Sequence, residues 1–304
     1  MAENESKHSG LIDSKVAARL SAQPLVARFA MEGSVSGMHR SPHRGSSVEF
    51  AEYRQYVPGD DLRRLDWRVL GRTDRYYLKE FEAETNLRCY FVLDCSGSMN
   101  FSSGDTSKLD YAIKLIAHLA YQLIQQGDAA GLVTVGPKVI TELPPKRTPS
   151  HLQLMLNLLT EVKGKGETGL AETLHELAEK ARRRALVLIF SDCFTDIDPL
   201  INGLQHLRFQ KHDVGVFHIL DRQELDFNFD RPIRFADLES SFSMVTEPAM
   251  VRDAYLEQFR HFQEALQRGC HECNSDYREI MTTQPFDKVL ADFLIDRAKA
   301  LNFR

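Results

Sequence analysis

Beyond residue 88 the chain alternates short apolar runs with longer stretches in which apolar residues recur every three or four positions. Cys89-Tyr90-Phe91-Val92-Leu93 is a continuous apolar run, the pattern of a strand buried on both faces. Leu109, Ala112, Ile113, Ile116, Leu119, Ala120 and Leu123 then fall on one side of a helix, which Gly127 closes. Residues 129–135 predict a second strand, and Gly136-Pro137 a turn into a short strand over 139–141. Helices are expected over 150–160 and along Leu170, Leu174, Leu177, Ala178 and Ala181. Ala185-Leu186-Val187-Leu188-Ile189-Phe190 is a third buried strand, Leu200, Ile201, Leu204 and Leu207 mark a helix, and 214–220 a further strand. After a loop containing Pro232 come a strand near 242–246, a long helix over 248–268 and a last helix with Phe286, Val289, Leu290, Phe293, Leu294 and Leu301. Strand alternating with helix predicts an α/β fold: a doubly wound, mostly parallel sheet with helices on both faces. In such sheets ligands bind outside the carboxyl ends of the strands.

Ahead of residue 88 the pattern is weaker. Residues 1–10 are polar and read as disordered, 14–25 as a short helix, and 33–47 as a loop rich in Gly, Ser, His and Arg. Residues 49–84 are dense in charge and aromatics, with a Pro58-Gly59 turn; turns and short strands are expected, since Tyr76, Leu78 and Phe81 break strict alternation. Three regions are therefore expected. They are a disordered N-terminus (1–13), a charged N-terminal segment (14–86) of loops and short strands packing on the α/β domain, and that domain with its C-terminal helices (87–304). No internal repeat is visible.

Composition narrows the function. A net charge of −5 argues against a nucleic-acid partner. No apolar run reaches the length of about 18 residues that a membrane span needs, and the N-terminus lacks the core of a signal peptide. The five cysteines, an odd count without a signal peptide, point to reduced thiols and a cytoplasmic protein.

The candidate chemistry lies in three loops. Asp94-Cys95-Ser96-Gly97-Ser98-Met99 follows the first buried strand, and its oxygen-bearing side chains at Asp94, Ser96 and Ser98 alternate so that they can converge. Thr168 stands in Gly164-Lys165-Gly166-Glu167-Thr168-Gly169 just before a helix, and Asp192 follows the strand that ends at Phe190 and Ser191. A carboxylate with hydroxyls is a hard donor set, suited to Mg²⁺ or Mn²⁺. The bland alternative is a loop whose polar groups only hydrogen-bond to one another and to helix N-termini. The arrangement resembles the metal-ion-dependent adhesion site of the von Willebrand factor A fold, in which Asp-x-Ser-x-Ser, a Thr before a helix and a late Asp surround the ion. The resemblance implies metal ligation by Asp94, Ser96, Ser98, Thr168 and Asp192, with a partner's acidic side chain completing the shell.

Residues 49–67 carry a second signal: Glu49-Phe50, Arg54-Gln55-Tyr56, Gly59-Asp60-Asp61 and Asp66-Trp67, with Gly71-Arg72 beyond. This series resembles the signature of the domain of unknown function 58 family, which precedes an A-like domain; the resemblance covers roughly residue 33 to the end. Many members carry transmembrane helices ahead of it, so this chain sits with the shorter soluble ones. The carboxylates of Glu49, Glu52, Asp60, Asp61 and Asp66 can pair with Arg54, Arg63, Arg64 and Arg72, and Trp67, the only tryptophan, is expected to anchor the segment. A partner-binding or catalytic surface is the other reading.

Members of this family accompany MoxR-type AAA+ ATPases. The resemblance therefore implies a non-enzymatic, metal-dependent adaptor that binds such an ATPase or its client in remodelling or maturation of other proteins. The rival is a hydrolase using Mg²⁺ or Mn²⁺ at Asp94 and the Asp60-Asp61 cluster, though no base or nucleophile is evident. Residues 164–168 lack the spacing of a phosphate loop, and Cys270-His271-Glu272-Cys273 is a lone C-x-x-C without a second pair for zinc.

Overall fold

Several long apolar runs must leave water together, and a parallel sheet covered on both faces is an arrangement that lets them. The computed structural model describes residues 11–29, 39–41, 49–55, 66–73, 75–85, 87–229, 233–236, 238 and 243–302. In chain order its elements begin with helix α1 (Ser14–Leu20), strands β1 (His39–Ser41) and β2 (Glu49–Gln55), helix α2 (Trp67–Thr73) and strand β3 (Tyr77–Thr85). Strand β4 (Arg88–Asp94), helix α3 (Lys108–Gln125), strands β5 (Ala129–Val135) and β6 (Val139–Lys146) and helices α4 (Pro149–Glu161) and α5 (Leu170–Lys180) follow. Next come β7 (Leu186–Ser191), α6 (Ile197–Phe209), β8 (Asp213–Leu220) and the short α7 (Arg222–Asp226). The chain closes with β9 (Ile233–Ala236), β10 (Ser243–Thr246), α8 (Pro248–Glu272), β11 (Asp276–Met281) and α9 (Phe286–Asn302). Two units result: Met1–Arg28 with Arg88–Arg304, and Phe29–Leu87.

The larger unit is built on a six-stranded sheet in the order β11-β8-β7-β4-β5-β6. Every pair is parallel except β5–β6. On one face Val92, Val133, Val187, Ile189, Val214 and Val216 pack with Leu174 and Leu177 of α5, Leu204 and Leu207 of α6, and Leu266 of α8. On the other, Phe190 lies between Phe91 and Phe217, at ring-centroid distances of 6.3 and 4.6 Å, and Phe217 meets Phe293 of α9 at 4.8 Å. Helix α3 covers the same face: Leu115, Ile116, Leu119 and Ala120 are fully buried. Each such leucine contributes about 1.5–3 kcal/mol by leaving water. The α/β architecture with helices on both sides is thus the one the apolar pattern implies.

Two edge strands depart from expectation. Strand β6 runs on to Lys146 rather than stopping at 141, through Pro144 and Pro145. Proline is tolerated there because an edge strand has one side free of pairing. Strand β11 falls in a stretch with no apolar run: only Ile280 is buried, and Asp276, Arg278 and Glu279 interrupt the pattern. An edge strand needs little apolar surface, so composition hides it.

The smaller unit holds a three-stranded antiparallel sheet in the order β1-β3-β2. A bulge between Phe50 and Glu52 shifts the phase of β2 against β3, which interrupts alternation along this stretch. Trp67 does not anchor it as expected: its side chain is 65% exposed. Asp66 is buried instead, accepting the Val69 N–H at 3.3 Å, while its own N–H reaches the Tyr77 carbonyl at 2.9 Å. Helix α2 therefore starts with its acidic residue inside and its tryptophan outside. The Pro58-Gly59 turn, Gly59-Asp60-Asp61, Arg63 and Arg64 lie outside the described residues, as do the loop 33–38 and 42–47 and residues 1–10.

The division expected at residue 14 differs from the observed one, which falls at Arg28, while the boundary expected between 86 and 87 lies within one residue of that between Leu87 and Arg88. Asp13 is the N-cap of α1, accepting from Lys15 N at 2.8 Å, and its own N–H reaches His118 Nε2 on α3 at 3.0 Å. Leu20 and Leu25 are buried, and the Arg28 N–H donates to Asp213 Oδ2 at 2.7 Å. Residues 14–28 thus belong with the six-stranded sheet. Asp213, fully buried at the start of β8, also pairs with Arg28 Nε at 3.2 Å and with Arg297 of α9. Arg297, 1% exposed, donates further to the Val26 carbonyl at 2.8 Å and to Asp276 at 3.3 Å. One buried carboxylate so ties the first and last segments to the sheet. Asp213→Ala takes from two guanidiniums their shared carboxylate, leaving Arg297 with Asp276 and Arg28 with backbone carbonyls, and should lower stability by about 3 kcal/mol in urea titration. Asp226→Ala, which breaks the exposed pair with Arg222, should stay within about 0.5 kcal/mol of wild type.

Candidate metal centre

Strands β4 and β7 are neighbours, paired up to Leu93 and Phe190, so the residues just beyond them emerge together at the carboxyl edge of the sheet. Ser191 Oγ donates to Asp94 Oδ2 at 2.6 Å, and the Ser96 N–H donates to Asp94 Oδ1 at 2.9 Å. Ser96 and Ser98 hydroxyls are 3.0 Å apart. Asp94 and Ser96 are fully buried, Ser98 is half-buried and Asn100 is exposed, so the loop is enclosed at its start and open at its far end.

The covering neighbour is the loop carrying Thr168. Its backbone is laced to the Asp94 loop: Gly97 N donates to Gly166 O at 2.7 Å, Lys165 N to Cys95 O at 2.8 Å, and Asn100 Nδ2 to Gly164 O at 2.7 Å. This approach explains the glycines that briefly resemble a phosphate loop. A Cβ at Gly164 would stand 2.6 Å from the Ser96 carbonyl oxygen, and one at Gly169 2.6 Å from that of Pro137. Thr168 arrives with its Oγ1 buried and without a hydrogen-bond partner.

Asp192 is 1% exposed and follows β7 directly. Its Oδ1 accepts the Phe194 N–H at 3.2 Å, and its Oδ2 accepts Lys108 Nζ at 2.6 Å. Lys108, on the first turn of α3, is itself fully buried and donates also to Glu224 Oε1 at 2.5 Å. The Phe194 ring lies 4.8 Å from its ammonium. Glu224 Oε2 accepts the Asp221 N–H at 2.8 Å in the capping box of α7, and Asp221 holds the Ser103 N–H at 2.9 Å. Lys108, Glu224 and Ser191 were not candidates from the sequence. Lysine at the start of a helix carries no local signal, and its partners lie 84 and 116 positions away.

The electrostatics follow from burial. Burial, and then the nearby Asp192 charge, push the Asp94 carboxyl up to about 6, against hydrogen bonds from Ser191 and Ser96 that hold it down. Burial alone would lower Lys108, but Asp192 and Glu224 more than offset it and keep the ammonium charged. No cation among the described residues pairs with Asp94. Burial pushes the Cys95 thiol up to about 12 and Cys193 well above its usual range, so both flanking sulfurs stay protonated. Two carboxylates, three hydroxyls and no thiolate make an oxygen donor set for a hard divalent cation. Among the described residues no three His, Cys, Asp or Glu side chains gather as a metal cluster, here or elsewhere, so the donor set rests on hydroxyls beside its two carboxylates. The Cys270-x-x-Cys273 pair ends α8, both residues buried as free thiols.

The family model described as "Protein of unknown function DUF58" matches residues 52–265. An uncharacterized protein of Mycobacterium tuberculosis is 26% identical over 296 residues, spanning 94% of this chain and 91% of that protein. The uncharacterized protein YeaD of Bacillus subtilis is 29% identical over 128 residues, 42% of this chain and 30% of its own. Among solved structures, the conserved hypothetical protein BatB from Bacteroides thetaiotaomicron aligns with a TM-score of 0.47 at 13% identity, covering 70% of this chain and 100% of that one.

The unpartnered Thr168 hydroxyl gives a direct check on the pocket. With chelator present, Thr168→Val removes a buried orphan oxygen and should leave stability unchanged or raise it by up to about 1 kcal/mol. A loss larger than that in thermal or urea unfolding would mean that the hydroxyl is already satisfied within the protein.

Proposed function

This chain belongs to the family of proteins of unknown function DUF58, and from that footing we propose that it is a non-enzymatic, metal-dependent interaction protein. In this reading the larger unit is a von Willebrand factor A-like domain. Asp94, Ser96, Ser98, Thr168 and Asp192 hold Mg²⁺ or Mn²⁺, and an acidic side chain of a partner completes the shell. The ion supplies concentrated positive charge that draws an anionic ligand and makes association depend on the metal.

The observation that carries the reading is a pair of unmet demands on two loops that are hydrogen-bonded to each other. Asp94 is buried beside a second carboxylate without a cation of its own, and Thr168 Oγ1 is buried without a partner. A hard cation answers both. The hydrolase reading has less behind it. The thiols at Cys95 and Cys193 are held protonated, and His218, near Asp192, is pushed down to about 4 by burial and bonded to the Tyr277 hydroxyl at 2.7 Å. Neither makes an evident nucleophile or base at neutral pH.

For the partner, the family resemblance suggests a MoxR-type AAA+ ATPase or its client, met in the cytoplasm. Gly164 serves the close approach to the Ser96 carbonyl and Gly169 that to Pro137, a packing role for both, so in this reading the work of ATP hydrolysis would come from elsewhere.

Two measurements test this. Calorimetry with Mg²⁺ and Mn²⁺ should show binding by the wild type. Asp94→Asn, which keeps the shape that Ser191 and Ser96 grip, should weaken it by at least about tenfold, since even changes outside the ligand shell cost that much. Equal affinity in the two proteins would remove Asp94 from the site. Binding to a purified MoxR-type ATPase should fall on adding EDTA and in Ser98→Ala, whose side chain lies at the rim. Retention of full binding in both would leave the metal without a part in recognition.

A further inference from the structure

Lys108 is the feature that metal ligation alone does not explain. A fully buried ammonium, 2.6 Å from Asp192 Oδ2 and 2.5 Å from Glu224 Oε1, is an expensive group to bury unless its charge is needed. We propose that Lys108 is a tethered counter-cation that competes with the divalent ion for Asp192 and sets the charge selectivity of the site, with Glu224 as the partner that retains it when the ion binds. The inference rests on the metal reading above and concerns how the chain's own residues tune it.

The geometry supports an exchange without large movement. Lys108 already bonds both carboxylates, so yielding Asp192 leaves it paired with Glu224. Glu224 is itself fixed by the capping box of α7, and Phe194 packs over the ammonium at 4.8 Å, so the cation stays buried among partners in either arrangement. Charge supports it as well. Asp94, Asp192 and Glu224 against Lys108 leave an excess of two negative charges. One divalent ion neutralises that excess, whereas a monovalent ion leaves part of it and a trivalent ion overshoots. Without Lys108 the cluster would favour a trivalent ion; without Glu224 a divalent ion would overshoot.

Three variants separate these roles, read by calorimetry with Mg²⁺ and by terbium luminescence for Tb³⁺. Glu224→Gln keeps the Lys108–Asp192 pair and the cap of α7, so it should fold and should bind Mg²⁺ at least about tenfold more weakly, the effect of one unit charge a few ångströms away in a partly buried site. Lys108→Met with Glu224→Gln restores the excess of two charges and frees Asp192; Mg²⁺ affinity should return to the wild-type level or exceed it. Lys108→Met alone should raise the preference for Tb³⁺ over Mg²⁺ by at least about tenfold. A merely structural lysine would not shift that ratio. If the wild type and all three variants bind Mg²⁺ equally, Lys108 plays no part toward the metal while the site itself stands. If the wild type binds nothing and the double variant binds Mg²⁺, Lys108 is the competitor proposed, strong enough to stand in for the ion, and metal-dependent recognition fails instead. If no protein binds either ion, both ideas fail and the cluster is an ordinary buried salt bridge.

Discussion

A carboxylate sealed from water must be met by donors or by opposite charge, and the six-stranded sheet faces this demand at both of its ends. At the amino edge, Asp213 and Asp276 meet Arg28 and Arg297, with the Arg278 guanidinium 3.9 Å from Asp276. With Asp296, which also pairs with Arg278, three carboxylates face three guanidiniums there, and the work of that cluster is to fasten the ends of the chain. At the carboxyl edge, Asp94, Asp192 and Glu224 meet Lys108 alone. The same sheet thus shows what a completed buried cluster looks like, and the carboxyl-edge cluster differs from it by a deficit of positive charge. The deficit lies where open parallel sheets take their ligands.

The rest of the site serves that cluster. Parallel pairing of β4 with β7 sets Asp94 beside Ser191 and Asp192, and Cys95 N, bonded to the Val135 carbonyl at 2.6 Å, ties the same loop to the end of β5. Gly164 lets the Thr168 loop approach the Ser96 carbonyl, and Gly169 lets it approach Pro137, closely enough to bury the Thr168 hydroxyl oxygen. Exclusion of water raises the Asp94 carboxyl and makes the orphaned Thr168 oxygen costly. The energetic tension of the site is a product of its packing.

How much of this was legible in the sequence depends on the range of the interaction. Strands β4, β5, β7 and β8 are buried on both faces and announce themselves as apolar runs, and helices α3, α5 and α6 by their stripes. The loop residues Asp94, Ser96 and Ser98 could be read because they sit in one short motif, and Thr168 and Asp192 because the resemblance supplied their places. Strand β11, with one buried residue, offered no pattern. Trp67 misled because composition makes a lone tryptophan look like an anchor, while α2 turns it outward and buries Asp66. Lys108 was invisible for a different reason: nothing within a dozen residues distinguishes it, and only the fold brings Asp192 and Glu224 to it.

All five cysteines are buried free thiols, spread over β4 and its loop, the turn after β7, and the end of α8. Burial raises the pKa of each. A thiol that is both enclosed and protonated reacts with alkylating reagents only when the surrounding structure opens. The native chain therefore carries its own opening gauge. Cys95 stands next to Asp94, so its alkylation rate registers breathing of the site loop, while Cys193 shares a core with Cys270 and Cys273 and its rate registers the packing of α8 as well. Any ligand that clamps the site loops would slow Cys95 most.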